Sequence, residues 1–371
     1  MDIIGYILSG FALLVLGVHL ASIAMVVRRL TTPAAPLPAP NPAPRITLLR
    51  PVHGLEYELE ATLTSGLRLA YPNYQMLFCV EEEDDPAAAL VRRLIKAHPT
   101  ADAALLVGRD PVSQNPKLNN LMKGWRAADG EWVAMADSNI ILPPDYLSQL
   151  LAKWGPQTGL VSSPAVGMGP ENWGGALECA FLNSYQARWQ LAADQAGTGY
   201  AQGKTLFWKR NFLAKAGGPA VLSSEIAEDA ASTKLVRGAG LKVRLARRPF
   251  VQPVGRRDWK TVWGRQLRWA IIRRMGFPAL FLAEPLTGAV LLLAAFAGGA
   301  LGLGWGLWPV LAYISLWYGA EWALARGAGW PAGLRDAMAL PVRDAMILAL
   351  WLAAWRQSAF EWQGHKLADK P

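Results

Sequence analysis

Apolar residues form short unbroken blocks through the middle of this chain, separated by stretches with helical spacing. Ile46 to Val52, Gln75 to Val80, Ala103 to Val107 and Trp132 to Ala136 are near-continuous apolar runs. Between them lie Leu55 to Leu69, Pro86 to Ala97 and Pro116 to Ala128, whose apolar positions recur as they do on a helix. Strands that lack alternation are buried on both faces. Interleaved with helices, they predict an α/β fold with a mostly parallel sheet covered on both sides. Ligands of such sheets sit at the carboxyl ends of the strands, so the polar residues that follow each run are the candidates for chemistry.

The longest apolar stretches stand at the two ends. Ile3 to Val27 holds no Asp, Glu, Lys or Arg, and as a helix it is about 37 Å long at 1.5 Å per residue, enough to cross a bilayer. Arg28 and Arg29 follow it. A cleavable signal peptide instead has its charges before a shorter apolar core. The stretch reads as a signal anchor beginning Met1-Asp2, with the double arginine in the cytoplasm; the plainer alternative is a buried helix. Pro285 to Ala320 is also uncharged, and its glycine-rich middle with Pro309 suits a reversal between two spanning helices. Arg265, Arg268, Arg273 and Arg274 precede this block and Arg326 and Arg335 follow it, as a hairpin with both ends in the cytoplasm requires. The last run, Ala345 to Trp355, spans if extended through Arg356 to Trp362 and otherwise lies in the interface. Thr32 to Pro44 holds prolines at 33, 36, 38, 40, 42 and 44, an extended spacer of at most about 40 Å at roughly 3.1 Å per residue.

Composition narrows the class. The chain has 371 residues, 52% hydrophobic and only 18% charged, which excludes a disordered protein. Two cysteines cannot staple a chain of this length, and Cys79 and Cys179 suit a reducing cytoplasm. Lys and Arg number 37 against 28 acids, a net charge of +9. The arginines cluster beside the apolar segments, where positive-inside topology accounts for them, and no nucleic-acid-binding motif is visible. Four histidines offer no zinc cluster, and no Ser-His-Asp or Cys-His pattern appears.

The residues that follow the runs are acids. Glu81-Glu82-Glu83-Asp84-Asp85-Pro86 comes after the second run and Asp137-Ser138-Asn139 after the fourth; Glu228-Asp229 opens a later helical segment. An acidic run before a helix also reads as a solvated cap. Asp137 ends a continuous apolar run, so burial must be offset by partners. For the later helix, Ser223 or Ser224 is the better expected cap, which leaves Asp229 for chemistry. Downstream, Arg265, Arg268 and Trp269 share one helix face at i, i+3 and i+4. Arginine forks recognise phosphate oxygens, although a basic, Trp-rich segment beside a span also suits lipid headgroups.

Asp-Asp-Pro at Asp85, Asp-Ser-Asn at Asp137, Ala-Glu-Asp at Asp229 and Arg265-Gln-Leu-Arg268-Trp269 together resemble the D, D, D, (Q/R)xxRW signature of membrane-bound family 2-like glycosyltransferases. Leu69-Ala-Tyr-Pro-Asn-Tyr74 and Asn115-Pro-Lys-Leu-Asn-Asn-Leu121 direct the resemblance to the ceramide glucosyltransferases, within family 21. It covers about residues 45 to 276 and the placement of the spans. Asn139 stands where that family usually has Gly, which leaves donor choice open.

The resemblance implies a GT-A fold and five parts: an anchor at 1–29, a spacer at 30–45, a cytoplasmic catalytic domain at 46–256, an interfacial amphipathic helix at 257–276, and transmembrane helices with a tail at 277–371. It also implies an inverting transfer of one sugar, glucose first, from a UDP-sugar to a lipid hydroxyl, ceramide first, with a hopanoid or diacylglycerol as alternatives. Asp85 then holds uracil, with Pro51, Glu81 and Asn139 beside the nucleotide. Lys117 approaches ribose or phosphate; on its own it reads equally as a surface charge. Asp137 binds a divalent cation, Mn2+ or Mg2+, that bridges the diphosphate. Asp229 is the general base, Arg265 and Arg268 meet the leaving group, and Trp269 stacks on sugar or acceptor. Competing readings are a processive polysaccharide synthase and a non-enzymatic basic membrane scaffold. The Ala-, Gly- and Trp-rich composition points to a bacterial inner membrane.

Overall fold

The computed structural model describes residues 3–32, 35–357, 359–362 and 365–368. Met1 and Asp2 of the expected anchor, Pro33 of the spacer and the tail beyond Ala368 lie outside them. The four runs become strands β1 (Ile46–Pro51), β2 (Tyr74–Val80), β3 (Ala103–Val107) and β4 (Trp132–Ala136). All four pair in parallel, in the order β3-β2-β1-β4. Parallel pairing requires crossovers, here the helices Leu59–Leu67, Pro86–Ala97 and Pro116–Ala127. The last two start with proline, whose missing N–H is harmless at a first helical position.

The second half adds β5 (Thr158–Ser162), β6 (Ala165–Pro170), β7 (Thr205–Lys209), β8 (Lys242–Leu245) and β9 (Phe250–Gly255). β7 enters against β4 in the opposite direction, and β5 and β8 follow, giving a seven-stranded sheet β3-β2-β1-β4-β7-β5-β8. β6 and β9 form a separate parallel pair. Apolar cores fill both faces of the large sheet: Leu48, Phe78, Ala134 and Phe207 on one, Leu49, Leu77, Val133 and Trp208 on the other. That is the mostly parallel, doubly covered arrangement expected of a GT-A fold.

Two helices, Ile3–Thr31 and Leu334–Trp355, are long and apolar enough to cross a membrane. Ile3–Thr31 turns Ile4 and Leu14 outward, 69% and 67% exposed, and packs Ala12 and Leu16 against the helices Ala289–Gly302 and Trp308–Ala328. A helical hairpin forms at the expected place, with a reversal at Gly304 and Gly306, whose φ of 72° and 76° suits glycine, but neither arm is among the two helices long and apolar enough to cross a membrane. Its first arm is short, 14 residues or about 21 Å. The last apolar run does not extend toward Trp362, where Ala359–Trp362 pairs with His365–Ala368 as a hairpin. It extends backwards to Leu334, through Pro341. Arg343 and Asp344 are accommodated because they are ion-paired: Arg343 lies 2.8 Å from Glu321 and 2.6 Å from Asp344.

The apolar helices and the sheet are fastened together. Arg29 donates to the carbonyls of Leu245, Ala246 and Arg247 at the end of β8 and lies 2.7 Å from buried Asp194. The segment expected at 257–276 is the helix Trp259–Gly276, capped by Asp258, which accepts from the Thr261 N–H at 2.6 Å.

Candidate active site

The motif Asn115-Pro-Lys-Leu-Asn-Asn120 shapes the cleft at the carboxyl ends of β1, β2 and β4. Asn115 caps its helix by accepting from the Leu118 N–H at 3.2 Å, and its amide donates to Glu228 at 2.8 Å. Asn119 accepts from the main-chain N–H groups of Val112 and Ser113 at 3.0 and 2.9 Å, which folds the loop after β3. Asn120 donates to the Cys79 carbonyl at 2.8 Å and so clamps the end of β2.

Lys117 sits mostly buried at the centre of the site, its side chain 11% exposed. Its ammonium lies 2.6 Å from Asp137, 2.6 Å from Glu228 and 2.7 Å from the Gly203 carbonyl. The surface-charge reading is therefore wrong, because the residue faces two acids across the cleft. Burial alone would lower its pKa, but Asp137 and Glu228 outweigh burial and raise it. Lys204 adds a second ammonium 3.1 Å from Asp137 and donates to Asn139 at 2.8 Å. For Asp137, burial pushes the carboxyl up, while Lys117 and then Lys204 pull it down to about 2. Asp137 is thus an anion at any physiological pH. Beneath its loop lies Arg50, fully buried, donating to the carbonyls of Ser138 and Ile140 at 3.1 and 3.2 Å.

Asp229 stands in the first turn of the helix Glu228–Gly238, where neither Ser223 nor Ser224 caps it. Both serines belong to a separate turn, Pro219–Ser224, so the helix starts later than its best capping residues. One carboxylate oxygen accepts from the Gly203 N–H at 3.0 Å. Burial, and next the neighbouring Glu228, raise the Asp229 carboxyl to about 6. Two carboxyls in one cleft, Asp137 and Asp229, therefore have well-separated acidities, the condition for dividing binding from proton transfer.

Asp85 and Glu81 differ in what they leave open. Asp85 caps Pro86–Ala97, accepting from the Ala87 N–H at 2.8 Å, and also accepts from the Gly54 N–H at 3.0 Å. The Glu81 carboxylate, by contrast, has one buried oxygen, Oε1, without a hydrogen-bond partner among the described residues. Pro51 ends β1 beside them, paired in register with Cys79.

Across the cleft, Arg265 lies 2.7 Å from Glu178, and Gln266 donates to the same carboxylate at 3.4 Å. Arg268 is one turn further on; burial, and then Arg265, lower its pKa to about 10. Trp269 packs partly buried against Cys179, Leu182 and Val254. Among the described residues no three His, Cys, Asp or Glu side chains converge as a metal cluster. A hard cation held by one carboxylate plus phosphate oxygens and water needs no such cluster, and the ionised, partly accessible Asp137 fits that role. Sequence reasoning missed Arg50, Glu178, Gly203 and Lys204. Gln202-Gly203-Lys204 resembles an ordinary turn, and only tertiary pairing shows its place.

A mostly parallel sheet with one reversed strand, carrying acids at its carboxyl edge, defines a GT-A glycosyltransferase fold. A mannosyltransferase from Pyrobaculum calidifontis, solved with GDP-Man and Mn2+, shares it with a TM-score of 0.56 over 94% of this chain and 99% of that one, at 19% identity. Residues 12–370 match the model of glycosyl transferase family 21, and the chain belongs to that family. Ceramide glucosyltransferase 1 of Caenorhabditis elegans is 28% identical over 309 residues, 80% of this chain. Ceramide glucosyltransferase 3 of the same organism is 25% identical over 286 residues, 76% of this chain. The chain spans 66% and 62% of the lengths of those two relatives.

Proposed function

We propose that the chain is an inverting, non-processive lipid glycosyltransferase that moves glucose from UDP-glucose to a hydroxyl of ceramide. The observation that carries this reading is the cleft itself, with an anionic Asp137 under two lysines and a second acid, Asp229, poised near neutrality. The names of the curated relatives support ceramide and glucose.

In this reading the acceptor hydroxyl gives its proton to the Asp229 carboxylate as its oxygen attacks the anomeric carbon. The bond from that carbon to the diphosphate oxygen breaks, the configuration inverts, and UDP leaves with the electron pair. Lys117, Arg265 and Arg268 meet the charge that develops on the diphosphate. Asp137 would hold a divalent cation, which would supply further charge neutralisation on the diphosphate. The unpartnered Glu81 oxygen accepts from the uracil ring N–H, while Asp85, occupied by main-chain donors, fixes the wall of that pocket. Trp269 flanks the sugar. The helices Ile3–Thr31, Ala289–Gly302, Trp308–Ala328 and Leu334–Trp355 hold the protein in a bilayer, with Arg28 and Arg29 on the cytoplasmic side, where UDP-sugars are made.

The test is product analysis. The purified protein is offered ceramide, diacylglycerol and a hopanoid polyol, each with several UDP-sugars, and the lipids are read by mass spectrometry. Glucosylceramide as the main product is expected. Transfer to another acceptor alone would retain the chemistry and reject ceramide, and sugar polymers would reject the non-processive reading.

A further inference from the structure

Beside the Asp229 helix lies a cavity of about 410 Å³, within the range of pockets that bury a small ligand, roughly 300–1,000 Å³. No residue assigned above to donor, metal or base lines it. One wall comes from the helix Trp259–Gly276, through Ile272 and Met275. Residues 265, 268, 272 and 275 are spaced three, four and three apart, so they share one helix face. The cavity therefore continues the arginine face, and Met275 stands about 10 Å beyond Arg268 at 1.5 Å per residue. Ile272 and Met275 also pack against the cluster that holds Met346, Ile347 and Leu350 of the apolar helix Leu334–Trp355.

The opposite wall leads back to the chemistry. Ala227 and Ala230, which bracket Glu228 and Asp229, form part of it. Polar groups gather on the remaining sides: Ser113 and Gln114 from the loop after β3, and Ser224 and Glu225 from the segment before the helix. One Glu225 oxygen is paired with Lys234 at 2.7 Å. The cavity is thus apolar along Ile272 and Met275 and beside Asp229 at Ala227 and Ala230, with hydrogen-bonding groups on its remaining sides.

We infer that this cavity receives the headgroup end of the acceptor lipid, with Ile272 and Met275 against the first chain carbons and the Ser113, Gln114, Ser224 and Glu225 side against its hydroxyl and amide groups. The inference rests on the lipid-transfer reading above and adds the specificity-determining subsite. An acceptor lodged there enters from the membrane side and presents its hydroxyl to Asp229 without crossing the diphosphate site. A lipid with an amide and a hydroxyl satisfies the polar side; a plain ester lipid leaves those groups without donors, and unpaired buried groups oppose binding.

The test uses the full chain in detergent, a short-chain ceramide and UDP-glucose. Met275→Trp fills the cavity and is expected to raise the ceramide KM by about tenfold or more, the scale on which a pocket contact discriminates. UDP affinity by calorimetry should stay at the parental value, and Met275→Leu, which keeps the volume, should keep the parental KM. In parallel, a ceramide carrying a photoreactive group next to its headgroup is cross-linked to the parent protein, and labelled peptides are mapped. Label is expected on the peptide containing Ile272 to Gly276. A parent that transfers sugar while its label maps elsewhere, or a Met275→Trp protein with parental ceramide KM, overturns the subsite. Label at Ile272 to Gly276 without any sugar transfer would uphold the subsite and overturn the transferase reading instead.

Discussion

Gly203 has no side chain where Glu228 occupies the space: a Cβ placed on it would lie 2.7 Å from Glu228 Oε1. Glu228 is buried and held by Asn115 and Lys117, so it cannot move aside without releasing both. Gly203→Ala is therefore expected to cost about 1–3 kcal/mol, as overpacking does, and to loosen Lys117 from Asp137. A lower thermal midpoint together with weaker UDP binding is the expected result. Parental values of both would show that the cradle has room to spare.

Asp229→Asn keeps the size of the side chain but cannot take a proton. A positioned base contributes about 10²- to 10⁴-fold, so lipid glycosylation should fall by at least the lower figure while UDP-sugar affinity stays within a few-fold. The base works only when ionised. With its carboxyl raised to about 6, the parental kcat/KM should decline as pH falls through 6 and level off above it. The same raised value means that the folded protein holds this proton more tightly than the unfolded chain, so ionising Asp229 opposes folding as pH rises toward 6. An acid limb at the same pH in Asp229→Asn, measured on its residual activity, would assign the titration to another group.

Asp137 contributes no acid limb, since it titrates at about 2. Asp137→Ala leaves the ammoniums of Lys117 and Lys204 facing each other without their shared anion. Transfer should be lost, and the gain in UDP affinity on adding manganese should disappear in a calorimetric titration. Manganese enhancement equal to that of the parent would remove Asp137 from the metal site.

Glu81 and Asp85 are separable. Asp85→Ala removes a helix cap, worth about 1 kcal/mol, and frees Gly54, so both the thermal midpoint and UDP affinity should drop. Glu81→Ala removes an oxygen that has no hydrogen-bond partner among the described residues, so UDP affinity should drop with little change in the midpoint. The reverse pattern would exchange their roles.

Glu178 is 1% exposed and faces Arg265. Glu178→Gln leaves the guanidinium poorly paired in a mostly buried place, and loss of one partner of a buried pair costs about 3–5 kcal/mol. The double change Glu178→Gln, Arg265→Gln should recover part of that stability while remaining inactive. A Glu178→Gln protein as stable as the parent would show that Arg265 finds another partner.

The first half of the sheet was legible because each strand there is one apolar run followed by a helical pattern, and two of those helices carry a proline and a capping side chain at their start. β3 and β4 fall where the runs predict, and Pro86–Ala97 keeps its predicted ends. The second half was not, since β7 runs against its neighbours and β5 to β9 lie in sequence without a helical repeat between each pair. The acids of the site stood out because charge after an apolar run is conspicuous. Their partners did not: Lys204, Glu178 and Arg50 look like ordinary charged residues until the fold buries them. The run Ala345 to Trp355 was visible, but its continuation back to Leu334 was not, as Arg343 and Asp344 interrupt the apolar pattern yet cancel in ion pairs.

Arg29, fastened both to Asp194 and to three carbonyls at the end of β8, ties the long helix Ile3–Thr31 to the edge of the sheet. In the bilayer placement proposed above, a catalytic centre mounted in that way would keep a set height above the bilayer midplane. It cannot dip to collect a deeply seated lipid or rise to release one. The acceptor must bring its hydroxyl to that level, so the thickness of the surrounding membrane becomes a variable of the rate, independent of headgroup chemistry.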